Sequence, residues 1–551
     1  MRSMPEILIG GVVVIADLPT APFFLPPHET ENSGVDFLGL RQVNLDMMGE
    51  LIPSLNNVVD YVRPFTLLSW IHWKFHDLCV SNSITNPTLD DLILFRQRIE
   101  ILFTWGATVN RPEGRIPGTG ASKPSPNPDG TYPLTFEAWN RKESSTSLIA
   151  ALWYGPASKI VTGLGFLEAI PGKPGAFRPT KTGVSLARIL DEKLRTKPDL
   201  YEQAFDRLGP VNGTEDIANE LWGLWRPDDV LLDESEVFSK TLYDPAWRTA
   251  TRGLNSRRSA TLSLFLEHLR QTPVSQSADE IREGAALSIL PDGRTYDLPA
   301  DLIETRNAWL ILQMRQLQRL CLEGLLSWFE QRVIEDGLRE TSEIAERLAG
   351  GWDPADFGFD PDGSSSKILG SIAAKSSTVH SFIKAIHDSQ VPNPFRLIDS
   401  LVAYLGNKDA RIASASLAGL HLCAAFAGIP GLNKDYLAYG GARRLSLLDL
   451  YRRLSGLEAP TMRGTAVFVL ETLIVSQHFA TAVNRFDGQK QRLKFTIEEH
   501  GLTHLTGSPT RPSVTADRLP TFLRLAEQSK IILSQEPNRY SLPPESSRTH
   551  N

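Results

Sequence analysis

The sequence is poor in cysteine, and this excludes two kinds of scaffold. Only Cys79, Cys321 and Cys423 occur in 551 residues, and no two of them form a CxxC pair. Neither a disulfide framework nor a zinc ribbon can be built from such a set. Each thiol lies in an apolar, helix-like stretch, which predicts buried free cysteines in a reducing compartment.

Long apolar runs are also scarce. The run Ile7–Ala16 has ten residues, whereas a membrane span requires roughly 18. Glu6 precedes the run, Asp17 follows it, and no small-residue cleavage site comes after it, so a secretory signal is not indicated. The Val and Ile enrichment predicts a buried β-strand over Ile7–Ile15. We therefore expect a cytoplasmic protein without a membrane partner.

Several motifs of catalysis are missing. The chain has no GxxxxGK(S/T), no GxGxxG after a strand and no GxSxG elbow, which removes the P-loop, dinucleotide-binding and α/β-hydrolase patterns. We expect no bound cofactor, and a non-enzymatic role is favoured.

One histidine pair keeps an enzymatic alternative open. His72 and His76 lie four residues apart on a helix predicted over Val62–Cys79, so both imidazoles share one face, as metal ligands on a helix do. The zincin pattern is absent because Trp73 occupies its glutamate position. His76-Asp77 resembles the HD dipeptide of phosphohydrolases, without their further upstream histidine in register. The aromatic surroundings favour an ordinary core helix over a metal site.

Helical periodicity dominates what is present. Helices are predicted from apolar residues at three- and four-residue steps and from capping signals such as Thr88 followed by Asp91. The main predicted helices are Leu40–Ile52, Val62–Cys79, Leu89–Trp105, Asp301–Asp336, Ser366–Asp388, Phe395–Gly406, Asp409–Gly428, Leu445–Leu457 and Gly464–Arg485. His380 and His387, two turns apart, are expected on a polar helix face. The fold class is therefore mainly α.

The length predicts three or four domains at roughly 100–200 residues each. We place an N-terminal region with a short strand and helices at 1–87. A second domain at 88–197 carries a Pro/Gly-rich insertion at 110–133, a helical domain covers 198–430, and a C-terminal domain covers 431–551.

Positive charge is concentrated in two segments. The net charge of the chain is −7, but residues 156–197 carry +5 and residues 485–548 carry +3, which leaves −15 for the remainder. Phosphate backbones attract such basic patches on an acidic body. A chance fluctuation of surface charge explains the second segment more easily than the first.

The first basic segment contains GPASKIVTGLGFLEAIPGKPGAFRPTKTGVSLARILDEKL, residues Gly155–Leu194. Its pattern is a short helix, a strand at Leu167–Ile170, a Pro/Gly turn, a strand at Phe177–Thr180 and a helix over Val184–Leu194. This order resembles the wing of bacterial winged-helix regulators, within a module at about 143–197. The resemblance puts Pro156–Leu164 in the recognition-helix position. The basic residues it would direct towards nucleic acid are Lys159, Lys173, Arg178 and Lys181.

The second segment, Thr515–Leu542, reads TADRLPTFLRLAEQSKIILSQEPNRYSL. A helix ending near Gln528 is followed by a strand at Ile531–Leu533, a turn and a return strand at Arg539–Leu542. It resembles a second recognition helix with its wing, within a module at about 485–545. Its candidate nucleic-acid ligands are Arg518, Arg524 and Arg539. The rest of the chain resembles no named family.

These features favour a non-enzymatic, DNA-associated subunit of a bacterial multi-protein system, such as phage defence or genome maintenance. Pro156–Leu164 offers only Ser158, Lys159 and Thr162 as polar contacts, so binding to backbone or shape is expected rather than sequence readout. One alternative is a protein-assembly subunit, because two winged helices around a helical middle resemble the layout of bacterial kleisins. Those begin with the first module, whereas this chain does not. The other alternative is a metal-dependent nuclease or phosphohydrolase centred on His72, His76 and Asp77.

Overall fold

A computed structural model of the chain describes residues 36–251, 253–350, 364–458, 461–486 and 490–544, together with short strands at 6–9, 12–15 and 29–30. The α-helices are α1 (Arg41–Leu51), α2 (Arg63–Ser81), α3 (Leu89–Asn110), α4 (Glu143–Thr146), α5 (Tyr154–Ser158), α6 (Lys181–Leu194), α7 (Pro198–Phe205), α8 (Glu215–Trp225), α9 (Leu232–Leu242), α10 (Leu254–Gln271), α11 (Ala278–Leu287), α12 (Ile303–Glu335), α13 (Thr341–Gly350), α14 (Ser365–Lys375), α15 (Val379–His387), α16 (Pro394–Asn407), α17 (Arg411–Ala427), α18 (Lys434–Leu437), α19 (Leu447–Ser455), α20 (Met462–Phe468), α21 (Ser476–Asn484) and α22 (Leu519–Gln528). A π-helical stretch, Val469–Val475, joins α20 to α21.

The strands are short and pair locally or with distant partners. They are β1 (Glu6–Ile9), β2 (Val12–Ile15), β3 (Glu29–Thr30), β4 (Tyr132–Pro133), β5 (Leu167–Ala169), β6 (Phe177–Pro179), β7 (Asn212–Gly213), β8 (Gln276–Ser277), β9 (Lys490–Gln491), β10 (Phe495–Glu498), β11 (Gly501–His504), β12 (Leu533–Glu536) and β13 (Arg539–Ser541). Five sheets in the described part have two strands, and one has three in the order β12-β13-β8. The protein is therefore mainly α-helical, as predicted.

The central element is α12, a 33-residue helix close to the predicted Asp301–Asp336. Its apolar side chains pack against α1, α11, α16 and α17. Its polar side chains are buried too, because they bind the backbone of surrounding loops: Arg315 donates to the carbonyl oxygens of Arg444 and Leu445. Gln316 accepts a hydrogen bond from Asn44 Nδ2 at 2.7 Å and donates one to the Thr515 carbonyl oxygen at 3.2 Å.

The capping signals mark helix starts correctly. Thr88 and Asp91 form the predicted capping box at the start of α3. The predicted helix Ser366–Asp388 is wrong in one respect, because the structure has two helices there, α14 and α15. Thr378 caps α15 by accepting a hydrogen bond from the Ser381 amide at 3.0 Å, which is the physical reason for the break.

The single strand predicted over Ile7–Ile15 is also wrong. The structure has two antiparallel strands, β1 and β2, with Ile9 opposite Val12 and Glu6 opposite Ile15. Gly10 and Gly11 lie between them in the sequence, and a Gly-Gly pair is a strong signal for a two-residue hairpin. The predicted burial of these side chains lies outside the described residues.

The predicted domain segments pack against one another. Helix α2 packs on α6 across the boundary at 87/88, α3 packs on α8 across 197/198, and α17 packs on α19 across 430/431. A single cluster of buried apolar side chains extends from Phe37 to Tyr540. Helices on the two sides of each predicted boundary therefore bury side chains against one another.

Among the described residues, one helix, Met462–Asn484, is long and apolar enough to cross a membrane. In this protein it packs against α12 and α13. Buried polar groups on it bind other segments: Gln477 donates to the Leu38 carbonyl at 2.8 Å, and His478 Nε2 accepts from the Lys494 amide at 3.0 Å. These contacts are those of a core helix.

Candidate functional site

The first basic segment, Gly155–Leu194, is called here the first module. Strands β5 and β6 form an antiparallel hairpin with Leu167 opposite Pro179 and Ala169 opposite Phe177. The tip, residues 171–175, is exposed, and Gly172 and Gly175 adopt positive φ angles of 74° and 83°, which a side chain disfavours. Thr180 caps α6 by accepting from the Gly183 amide at 3.2 Å. The predicted hairpin is present, and α6 begins three residues before the predicted Val184.

The predicted recognition helix is wrong. Helix α5 ends at Ser158, and the chain then turns back on itself: the Leu164 amide donates to the Ala157 carbonyl at 2.7 Å, and the Phe166 amide to the Ser158 carbonyl at 2.8 Å. A Cβ atom at Gly163 would lie 2.2 Å from the Ala157 carbonyl oxygen. Since the backbone closes this tightly, Lys159–Leu164 forms a turn instead of extending α5 into a helix that could enter a groove.

The four basic residues of the first module differ in their availability. Lys159 is half-buried, with Nζ 4.7 Å from the centre of the Phe177 ring. Arg178 pairs with Glu168 at 2.8 Å on the outer face of the hairpin. Lys173 at the tip and Lys181 at the start of α6 are exposed, and neither has an ion pair within the part of the chain that the structure describes. Two free lysines therefore flank one exposed hairpin.

Apolar side chains are exposed on the turn beside them. Ile160 and Val161 are 55% and 79% accessible to solvent, and Leu152, before α5, is 68% accessible. Exposed apolar residues that cluster on one segment are typical of surfaces that bind another macromolecule. The turn therefore offers an apolar contact surface, whereas the lysines offer positive charge.

The second basic segment, Thr515–Leu542, is called here the C-terminal module, and its sheet has a partner from far upstream. Strand β13 pairs with β12, and also with β8, where Tyr540 lies opposite Gln276. Helices α10 and α11 flank β8, and α11 packs on α22. The elements α10, β8 and α11 thus pack beside α22, β12 and β13, although residues 288–518 separate the two groups in the sequence. The sequence gives no signal for β8, which has only two residues.

The arginines of the C-terminal module bind the protein itself. Arg518 donates to the Ile52 carbonyl at 3.0 Å, and Arg524 pairs with buried Asp60 at 2.9 Å. Arg539 donates to the Ser275 carbonyl at 2.7 Å and lies 3.1 Å from Glu280. Burial lowers the pKa of Arg518. In this structure the three guanidinium groups hold α22 and its hairpin against neighbouring segments.

The histidine pair on α2 falls in two environments. His72 is buried with its ring edge-on to Phe177, 6.1 Å between ring centres, and burial lowers its pKa to about 3. His76 is exposed, and Asp77 lies 3.5 Å from Lys74. Within the described residues, no group of three or more His, Cys, Asp or Glu side chains is placed to hold a metal ion. The arrangement offers no support for a metal centre at these residues.

Two neighbouring cavities were missed by the sequence analysis. One, of about 1200 Å³, lies among α11, α14, α15 and α16, and the other, of about 600 Å³, lies between the start of α12 and α15. His387 lines both. In the sequence, the spacing of His380 and His387 was the only signal for these cavities. The residues that face them across the smaller cavity come from Ser288–Asn307, a distant part of the sequence, so no local pattern links the two sets.

Comparison with known proteins gives no relative. No protein family, no curated protein and no solved structure matches the chain. This agrees with the expectation that the whole chain matches no named family.

Proposed function

We propose that the protein binds the nucleic-acid backbone, most simply that of DNA, through the first module. The observation that carries the proposal is the exposed hairpin with Lys173 at its tip and Lys181 at its base, both free of ion pairs within the described residues. They belong to a segment of charge +5 on a chain of charge −7. Lysines that neutralise phosphates release the counterions condensed on the nucleic acid, which favours binding.

Binding of this kind is independent of base sequence. Direct readout needs side chains that reach base edges in the groove, and the turn after Ser158 removes the recognition helix expected over Pro156–Leu164. Lysine contacts to phosphates position a protein without reading bases. We therefore propose a non-enzymatic, DNA-associated subunit of a cytoplasmic bacterial multi-protein system.

A second candidate function is protein docking, as in the assembly subunit that the kleisin-like layout suggests. The exposure of Leu152, Ile160 and Val161 favours it, because buried apolar anchors carry most of the energy of protein interfaces. The same turn would then contact a partner protein, and the lysines would lie at the rim.

A gel-shift titration beside a co-purification separates the two. Wild type and Lys173→Glu/Lys181→Glu are titrated into a labelled duplex at low salt, with Lys408→Glu/Lys434→Glu as the control, since these lysines are also exposed and have no ion pair in the described part of the chain. The proposal predicts a shift that the hairpin variant loses and the control retains. No shift of any duplex by the wild type would refute it. Loss of a co-purifying protein in Ile160→Ser/Val161→Ser would support docking instead.

A further inference from the structure

Arg306 occupies an unusual position at the start of α12. Its side chain is buried, with 8% of the residue exposed. The guanidinium donates only to neutral acceptors: Nε to Asn307 Oδ1 at 2.8 Å and Nη1 to Ser288 Oγ at 3.2 Å. Burial lowers the pKa of Arg306 to about 10, so the side chain remains charged at neutral pH. Its charge has no carboxylate partner among the described residues.

The other buried arginines show which partners a buried guanidinium group has elsewhere in this protein. Each binds a backbone carbonyl, a carboxylate or both: Arg63 (Asp229 carbonyl, Glu234), Arg96 (Glu100, Glu143), Arg98 (Arg207 carbonyl), Arg141 (Thr146 carbonyl, Glu100), Arg258 (Thr241 and Leu242 carbonyls), Arg315 (Arg444 and Leu445 carbonyls) and Arg319 (Ser513 carbonyl, Glu323). A buried cation is costly unless other groups compensate its charge. Arg98, Arg258 and Arg315 also have no carboxylate, but backbone carbonyls accept hydrogen bonds from each of them. Arg306 alone in this set has neither a carboxylate nor a backbone carbonyl as a partner among the described residues.

Arg306 lines the cavity of about 600 Å³. On the facing wall, α15 presents His380, Lys384 and His387 at positions i, i+4 and i+7, which is one face of a helix. All three are exposed and line the cavity. The first turn of α12 adds the positive end of a long helix on the opposite side. Two cationic side chains and two imidazoles therefore converge on one space.

Two carboxylates lie at the same cavity. Asp388 is engaged by Lys384 Nζ at 2.6 Å, and Asp297 is exposed. Neither pairs with Arg306, so the buried guanidinium remains without an anion.

We infer that this cavity binds the phosphoryl group of a small soluble ligand, with Arg306 as the buried anchor and His380, Lys384 and His387 as donors from α15. A tetrahedral dianion uses several N–H donors from different directions, which suits this set better than a single carboxylate would. The volume is within the range of pockets for small molecules, and the adjoining cavity of about 1200 Å³ leaves room for the rest of the ligand. The site is separate from the first module.

Inorganic phosphate is the probe for the test. Its binding to the full chain is followed by ³¹P line broadening at constant ionic strength for the wild type, Arg306→Gln and Lys384→Gln/His387→Gln. The control is Lys434→Gln/His500→Gln, because it removes the same two residue types from exposed positions that do not line the cavity.

We expect saturable binding by the wild type and the control, and binding about tenfold weaker or lost in both cavity variants, as removal of charge-assisted hydrogen bonds implies. The Lys384/His387 variant changes only exposed residues, so its effect does not depend on whether Arg306→Gln folds. Absence of saturable binding by the wild type, or equal weakening in the control, would overturn the inference. Duplex binding by the same variants should be unchanged, so that this result and the proposed function fail independently.

Discussion

The first module and the C-terminal module have the same pattern in the sequence, but they have different surroundings in the structure. Each has a β-hairpin and arginines or lysines around it. In the first module the hairpin β5–β6 is two-stranded and its tip is exposed. In the C-terminal module β13 has a second partner, β8, and α22 is packed against the segment before α2.

The difference shows that, of these two sets, only the lysines of the first module keep charges that have no partner in the described part of the chain. Arg518, Arg524 and Arg539 all have partners within the chain. Lys173 and Lys181 have none within the described residues. Both sets belong to a hairpin beside a helix in a basic segment, and only the packing distinguishes them.

The largest change in the free energy of unfolding is expected when two arginine–carboxylate pairs, one near each module, are broken and compared. Arg282 on α11 binds Asp517, just before α22, through Nε at 2.6 Å and Nη2 at 2.9 Å, and both side chains are largely buried. Arg282→Ala leaves a buried carboxylate without its partner and should lower the free energy of unfolding by about 3–5 kcal/mol. Urea denaturation measures this.

The matched variant is Arg178→Ala in the first module. Arg178 and Glu168 are 61% and 35% exposed, so water screens the pair and its loss should cost less than about 0.5 kcal/mol. Equal losses in the two variants would contradict the contrast between the modules.

The next effect concerns the buried histidine under the first hairpin. Burial lowers the pKa of His72 to about 3, below the ordinary value of about 6.5 in the unfolded chain. Protonation therefore favours the unfolded state, and the stability due to neutral His72 is present above pH 6.5 and is lost as the pH falls towards 3. Between pH 7 and pH 5 the loss should be about 2 kcal/mol.

His72→Phe keeps a ring against Phe177 and removes the titration. Urea unfolding of this variant at pH 7 and pH 5 should show a smaller difference than in the wild type. The same pH dependence in both proteins would show that His72 does not titrate in this way.

How far the sequence predicted the structure depended on the range of the interaction. The Thr88 capping box and the hairpin at Pro171–Gly175 were predictable because each depends on a few adjacent residues. The pairing of β8 with β13 was not, since it joins residues more than 250 positions apart. The burial of the polar residues of α12 was not predictable either, because it depends on carbonyls of distant loops that replace water as their partners.

The candidate binding residues also differ in whether the sequence alone could identify them. Lys173 and Lys181 could be selected from charge and turn chemistry alone. Arg306 could not, because a single arginine in a helical stretch carries no local signal, and its lack of an anionic partner is visible only when α15 and the Ser288 loop are in place. The turn after Ser158 was missed because its backbone bonds override the helical reading of Pro156–Leu164.

The smallest effect on stability is expected at the hairpin tip. Lys173→Ala/Lys181→Ala changes exposed side chains with no ion pair in the described part of the chain, so the free energy of unfolding should change by less than about 0.5 kcal/mol. Thermal unfolding measures this, and a clearly larger loss would show that the lysines hold the hairpin together.

The salt dependence of duplex binding tests the central claim most directly. The slope of log affinity against log salt concentration counts the counterions released by phosphate contacts. For two unrelated duplexes, Lys173→Glu/Lys181→Glu should weaken binding about equally and flatten the slope by up to about two units relative to the wild type and to Lys408→Glu/Lys434→Glu. A wild type that binds duplex with the same slope as the hairpin variant would contradict the account.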